Sequence, residues 1–341
     1  MLPHQLGLAP FRPRAPWWNG DLQTLRDTLR PAALPPDTGV PLEIPVGGRD
    51  RLLALQDSPT GGQQPLGLVV LLHGLGGSSE REGLRRMGWA LQQAGFGVLR
   101  LNLRGADPGR HLAPGTYAAN CNPDLLPVLR HARGLAAGRP LLGMGISLGG
   151  TMLLNAVLEQ PGGLDGLVCI SSPLDLAACS QQIERPRNGI YQRWLLKRLV
   201  AQTLADPFGI DPGEEQALRA GGGPHTIRAF DAAITAPRWG YSSVDHYYAA
   251  ASPLQRLLHQ PEPLPPLLLV HAKDDPWVPV AAAQQVAEQG SLQVLLTERG
   301  GHNGFHAVCD GPEGNWGDRL TARWFRQLLG VPLPALAVPG P

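Results

Sequence analysis

The chain has 341 residues, a net charge of +1, 17% charged side chains and no lysine- or arginine-rich run, so the basic footprint that nucleic acid requires is missing and no such partner is expected. With 43% hydrophobic residues it can bury a large core, yet no apolar run approaches the ~18 residues of a membrane span, so no stable membrane insertion is expected. Pro3, Pro10, Pro13 and Pro16 interrupt a start that lacks the order of a secretory leader, and Cys121, Cys169, Cys179 and Cys309 lack C-x-x-C or histidine spacing; reduced structural thiols in a soluble cytoplasmic protein are expected.

The first 40 residues are Pro-rich, but Trp17 and Trp18 argue for a segment packed on the core rather than a solvated arm. Strands are predicted at Pro41 to Val46, Leu52 to Gln56 and Gly67 to Leu72, the last a continuous apolar run of the kind buried on both faces. Leu84, Met87, Leu91 and Ala94 share one helical face over Glu80 to Ala94, with Ser78-Ser79 as the expected cap. A strand at Phe96 to Leu101, a helix at Tyr117 to Ala137, a strand at Pro140 to Ile146 and another at Leu164 to Ser171 continue the alternation. Such alternation predicts a mostly parallel sheet with helices on both faces.

The alternation stops between residues 173 and 253, where Tyr191 to Leu204 is helical and Phe230 to Tyr241 is aromatic-rich. An insertion at this place predicts a helical cap over a site. Strands resume at Pro266 to His271 and Leu292 to Thr297, and an amphipathic helix over Asn315 to Leu329 buries Leu320, Trp324, Phe325 and Leu328. The expected division is therefore a packed N-terminal segment (1–40), a core (41–172 and 254–330), a cap (173–253) and a flexible Pro-rich tail (331–341).

Chemistry concentrates at the ends of these strands. Gly145-Ile-Ser-Leu-Gly149 places Ser147 in G-x-S-x-G between an apolar run and a helix-like run, the signature of a sharp strand-to-helix turn that lifts a serine hydroxyl clear of the backbone. His73-Gly-Leu-Gly-Gly77 follows the third strand and resembles the oxyanion loop of α/β-hydrolases. Asp274-Asp275 and Gly301-His302 follow two later strands, so each candidate lies at a carboxyl strand end, where open parallel sheets build their sites. The order Ser147, Asp275, His302 is the one used by the α/β-hydrolase fold, not by chymotrypsin or subtilisin.

These motifs, together with Asn19-Gly-Asp-Leu-Gln-Thr24, Asn102-Leu-Arg-Gly105, Phe230-Asp231, Tyr247-Tyr248 and Gly300 to Phe305, resemble the YheT-type α/β-hydrolases, the AB-hydrolase family four that includes embryogenesis-associated proteins. The resemblance spans nearly the whole chain. It implies an α/β-hydrolase fold and carboxylesterase or acylglycerol lipase activity. Two departures matter: Ala106 stands where relatives often carry cysteine, and none of the ten histidines begins the H-x-x-x-x-D motif of acyl-transferring relatives, which favours hydrolysis.

Ser147 is then the nucleophile, His302 the base, and Asp275 the acid that orients it, the D-x-x-V-P spacing selecting Asp275 over Asp274. His306 is the nearest competitor of His302. Backbone N–H groups of Leu75 and Leu148 are expected to bind the oxyanion, with His73 bracing their loop. Asn102, Arg104, Asp231 and Tyr248 read as structural pins or pocket walls. The substrate is expected to be a small-molecule ester or lipid-like acyl compound, with a thioester, an amide or a catalytically silent binding module as alternatives. No cofactor or metal is implied, since the histidines form no ligand cluster and the glycine-rich loop lacks G-K-[ST].

Overall fold

The structure, a computed structural model, describes residues 2–259, 263–310 and 314–333. Its strands are β1 (Val40–Gly47), β2 (Asp50–Asp57), β3 (Leu68–Leu72), β4 (Gly97–Leu101), β5 (Leu141–Ile146), β6 (Gly166–Ile170), β7 (Leu267–Ala272) and β8 (Gln293–Thr297). They form one sheet in the order β1-β2-β4-β3-β5-β6-β7-β8. β2 pairs antiparallel with β1 and β4, and every other neighbouring pair is parallel. This is the α/β-hydrolase fold that the alternation and the motifs led us to expect.

Helices α1 (Leu2–Gln5) and α2 (Gly20–Leu29) precede the sheet. Helices α3 (Glu82–Gln93), α4 (Asn122–Ala136) and α5 (Leu148–Glu159) connect β3 through β6. Between β6 and β7 run α6 (Leu176–Ile183), α7 (Gly189–Leu204), α8 (Pro212–Arg219), α9 (Ile227–Phe230), α10 (Ala236–Arg238), α11 (Val244–Ala251) and α12 (Leu254–His259). Then α13 (Ala281–Gln289) joins β7 to β8, and α14 (Trp316–Leu328) follows.

The pleat sorts side chains into two cores. Leu68, Val70 and Leu72 of β3 pack with Leu125 and Val128 of α4 and Met152 and Leu153 of α5. Val69 and Leu71 face the other way, onto Leu84, Met87 and Leu91 of α3 and Leu320, Trp324 and Phe325 of α14. Both faces being covered explains why the inner strands read as unbroken apolar runs. Leu6 and Leu8 of the N-terminal segment enter the second core, and Trp17 is buried while Trp18 turns outward.

Two expected helix starts shift. The helix expected from Glu80 begins at Glu82 with no side-chain cap, because Ser79 is taken by Asn102, whose Oδ1 accepts from Ser79 N–H and whose Nδ2 donates to Ser79 Oγ. The helix expected from Tyr117 begins at Asn122, because Tyr117 and Ala119 are held elsewhere: Tyr117 Oη accepts from Gly76 N–H and Ala119 N–H donates to Tyr247 Oη. Tertiary bonds outcompete helical periodicity at both places. Of the Pro-rich tail, residues after Leu333 lie outside the described residues.

The chain between β6 and β7 builds small cores of its own. Ile183, Leu195, Leu199, Leu218, Ile227 and Phe230 form one; Leu176, Val244, Tyr247 and Tyr248 form another against Ala118 and Ala119. Between α9 and α10, Asp231–Thr235 is a π-turn, a wider coil that recurs at functional sites. Here it carries Asp231 to Tyr248.

Candidate active site

β5 ends at Ile146 and α5 begins at Leu148, leaving one residue, Ser147, to make the turn at φ 54°, ψ −126°. A serine in the left-handed region is strained and persists only when its surroundings over-determine it. Here Ser147 N–H donates to the Ile170 carbonyl at 2.9 Å, and Gly150 N–H donates to the Ser147 carbonyl at 3.0 Å. A Cβ on Gly145 would collide with Gly150, so strand and helix approach as closely as two glycines permit.

Beyond β7, Asp275 folds its carboxylate back on its own turn: Oδ1 accepts from Trp277 N–H at 2.8 Å and Val278 N–H at 3.0 Å. Oδ2 is left for His302 Nδ1, also at 2.9 Å. Burial works to raise this carboxyl, but the electrostatic pull of His302 and the hydrogen bond from it, with His271 and Val278 N–H, hold it below the ordinary carboxylate value. An ionised carboxylate only accepts, so the imidazole proton sits on Nδ1, and Nε2 is free to accept from Ser147 Oγ–H at 2.9 Å. Trp277 stacks on the same ring, centroids 4.5 Å apart at 29°.

The structure thus brings Ser147, His302 and Asp275 into one hydrogen-bonded line. Asp274 points elsewhere, its Oδ1 accepting from Gly301 N–H. His306 is fully buried with Nε2 facing Asp27 at 3.2 Å.

Gly74 lies so near the elbow that a Cβ there would stand 3.0 Å from Ser147 Cβ. His73 braces this loop: burial pushes its imidazole down to about 4, so it stays neutral, with Nδ1–H donating to the Gly74 carbonyl and Nε2 accepting from Leu103 N–H. Tyr117 Oη holds Gly76 N–H, and Arg198 donates to the Gly76 carbonyl. Among the described residues, the N–H groups of Leu75 and Leu148 donate to no protein acceptor. Leu148 also opens α5, whose unpaired N-terminal amides favour a negative charge.

Ser147 and His302 open into a cavity of about 360 Å³. Leu176, Ile183, Leu195, Leu199, Ile227 and Phe230 give it apolar walls. Two acidic residues, Asp27 and Asp231, also line it, and both are engaged. Arg86 holds Asp27, and Asp231 accepts from Thr235 and Tyr248, although burial still pushes its carboxyl up to about 6. Asn102 and Arg104 lie outside the cavity, Asn102 on Ser79 and Arg104 paired with Asp124 and Asp50. From sequence, Gln23 and Thr24 are met only within the Asn19 to Thr24 motif of the resemblance, with no role attached, and Trp277 and Tyr117 are not picked out as site residues. Trp277 does carry a local signal, lying two places after Asp275 in the D-x-x-V-P run.

The arrangement can move a proton from a serine hydroxyl to an imidazole beside two free N–H donors, and the family follows from the whole chain: it belongs to the hydrolases described as Hydrolase_4, serine aminopeptidase S33, whose profile matches residues 63–307. Among relatives, YheT of Escherichia coli (strain K12) is 32% identical over 272 residues, covering 77% of each chain. Phospholipase ABHD3 of Mus musculus is 30% identical over 270 residues, covering 76% of this chain and 62% of that protein, so this chain spans less than two thirds of that relative. The solved structure of a soluble variant of monoglyceride lipase from Saccharomyces cerevisiae, in complex with a substrate analog, aligns with a TM-score of 0.58 at 17% identity over 87% of this chain and 99% of that one, a likeness of fold. No helix among the described residues is long and apolar enough to cross a membrane.

Two outcomes follow from this geometry. Asp275→Asn keeps the shape but offers an amide where Nδ1–H needs an acceptor, so turnover should drop by about 10³- to 10⁴-fold, while Asp274→Asn, which retains an oxygen for Gly301 N–H, should keep most of it; equal losses in steady-state kinetics would contradict the assignment. For His73, the folded value of about 4 lies below the ordinary value of 6.5, so its contribution to stability is full above pH 6.5 and is lost as pH falls through 4. Urea unfolding should show the stability difference between wild type and His73→Gln shrinking by roughly 2–3 kcal/mol from pH 7 to pH 4.5; a difference independent of pH would refute a neutral buried His73.

Proposed function

We propose that this chain is a serine hydrolase that cleaves carboxylic esters, of short-chain or acylglycerol type, through an acyl-enzyme on Ser147. The observation that carries the reading is the continuous hydrogen-bonded line from Asp275 through His302 to Ser147, opening on an apolar cavity beside the unpaired N–H groups of Leu75 and Leu148. In the first half-reaction His302 Nε2 takes the Ser147 proton as Oγ attacks the carbonyl carbon. The oxyanion is held by Leu75 and Leu148 N–H, and the alkoxide departs with the proton from His302. In the second half-reaction His302 deprotonates a water that attacks the acyl-serine, releasing the acid and returning the proton to Ser147.

The helical insertion acts as the cap. Ile183, Leu195, Leu199, Ile227 and Phe230, all contributed by it, are a suitable wall for an acyl chain. The relatives' names, phospholipase, monoacylglycerol lipase and medium-chain fatty acid ethyl ester synthase/esterase, point to the same bond type. A peptidase acting at a free amino terminus would need a carboxylate for the ammonium group, and the two acidic residues lining the cavity, Asp27 and Asp231, already have partners. That favours esters over peptides.

Ser147→Ala should lower turnover of a short-chain nitrophenyl ester by on the order of 10⁴-fold or more with the fold intact by circular dichroism. Retention of more than about 1% of wild-type turnover would remove Ser147 from the mechanism.

A further inference from the structure

The loop that carries His302 is not held by the sheet alone. Asn303 and Phe305 lie at φ 58° and 48°, and for a bulky residue such as Phe305 that conformation persists only when surrounding contacts hold it. Much of that holding comes from α2, a helix that precedes the first strand and lies 278 residues away in sequence. Thr24 Oγ1–H donates to the Gly20 carbonyl at 2.6 Å, which commits its proton and leaves a lone pair to accept from His302 N–H at 2.9 Å. Gln23, almost fully buried, accepts from His306 N–H at 2.8 Å through Oε1, while its Nε2 donates to the carbonyls of Trp17 and His306.

The backbones are in direct contact as well. A Cβ on Gly301 would collide with the Gly20 carbonyl and come within 2.8 Å of Thr24 Oγ1, and one on Gly20 would collide with the Asp274 carbonyl. Helix α2 is therefore wedged between the turn that carries Asp275 and the loop that carries His302. Its own start is fixed by Asn19, whose side chain accepts from Leu22 N–H.

We propose that α2 is a positioning element for the base, with the Thr24 hydroxyl fixing the backbone of His302 so that Nε2 stays aimed at Ser147 Oγ. The proposal rests on the esterase reading given above and adds to it: Thr24 acts through His302, so its loss impairs proton transfer rather than substrate binding. A displacement of about 1 Å in a catalytic group can cost on the order of 10²-fold in rate.

The test compares Thr24→Val, which keeps shape but loses the acceptor, with Thr24→Ser, which keeps the acceptor, both in the full chain. Thr24→Val should lower kcat on a nitrophenyl ester by about 10- to 100-fold with KM nearly unchanged, and should slow fluorophosphonate labelling in parallel. Thr24→Ser should restore both to near the wild-type values, with both variants unfolding thermally close to wild type. A Thr24→Val protein with full kcat and labelling rate, a rise in KM alone, or a Thr24→Ser protein no better than Thr24→Val would overturn the proposal. Ser147→Ala assayed alongside separates the two readings: if it is inactive, failure at Thr24 condemns only the role of α2, and if it is active, the esterase reading falls and this proposal with it.

Discussion

An imidazole bonded at both nitrogens organises this molecule. His302 gives Nδ1–H to Asp275 and receives Ser147 Oγ–H at Nε2, each at 2.9 Å, and the three residues leave the sheet from three different strands. Parallel register fixes where those strands end, so β5, β7 and β8 set the spacing before any loop is drawn. Two of the loops depart from ordinary backbone geometry to bring their side chains in, at the strained elbow of Ser147 and at the left-handed residues around His302, while Asp275 folds its carboxylate back onto the amides of its own turn. A large, rigid two-sided core holds that strain in place.

The surroundings of the imidazole follow from the same constraint. Trp277 covers one face of the ring, and burial around Asp275 would raise its carboxyl were it not answered by His302, His271 and the amides of its own turn. His73, buried and neutral, spends both nitrogens on the loop that presents Leu75 N–H. His302 and His73 thus differ by what they face, one a carboxylate and a hydroxyl, the other a carbonyl and an amide. The insertion between β6 and β7 adds apolar walls and Asp231, and α2 adds Asp27; both acids are engaged by neighbouring side chains.

Much of this was legible in the sequence because it is locally encoded. Buried parallel strands appear as runs such as Leu68 to Leu72, and Gly145-Ile-Ser-Leu-Gly149 announces a turn that few other residues could make. What was not legible depends on contacts between distant segments. Ser79 reads as a helix cap until Asn102 claims it, Tyr117 reads as helical until Gly76 N–H is found on its hydroxyl, and nothing in the residues around Thr24 says that they support His302. Such bonds leave no periodicity and no composition bias, so only coordinates reveal them.

The central claim is that Ser147 is an activated nucleophile made so by His302 and Asp275. Mass spectrometry with peptide mapping after exposure of the folded protein to a fluorophosphonate tests it most directly. The account predicts a single phosphonyl adduct on the peptide that contains Ser147, lost when the protein is unfolded before exposure. Folded protein that takes up no adduct, or takes it up on another residue, would contradict it.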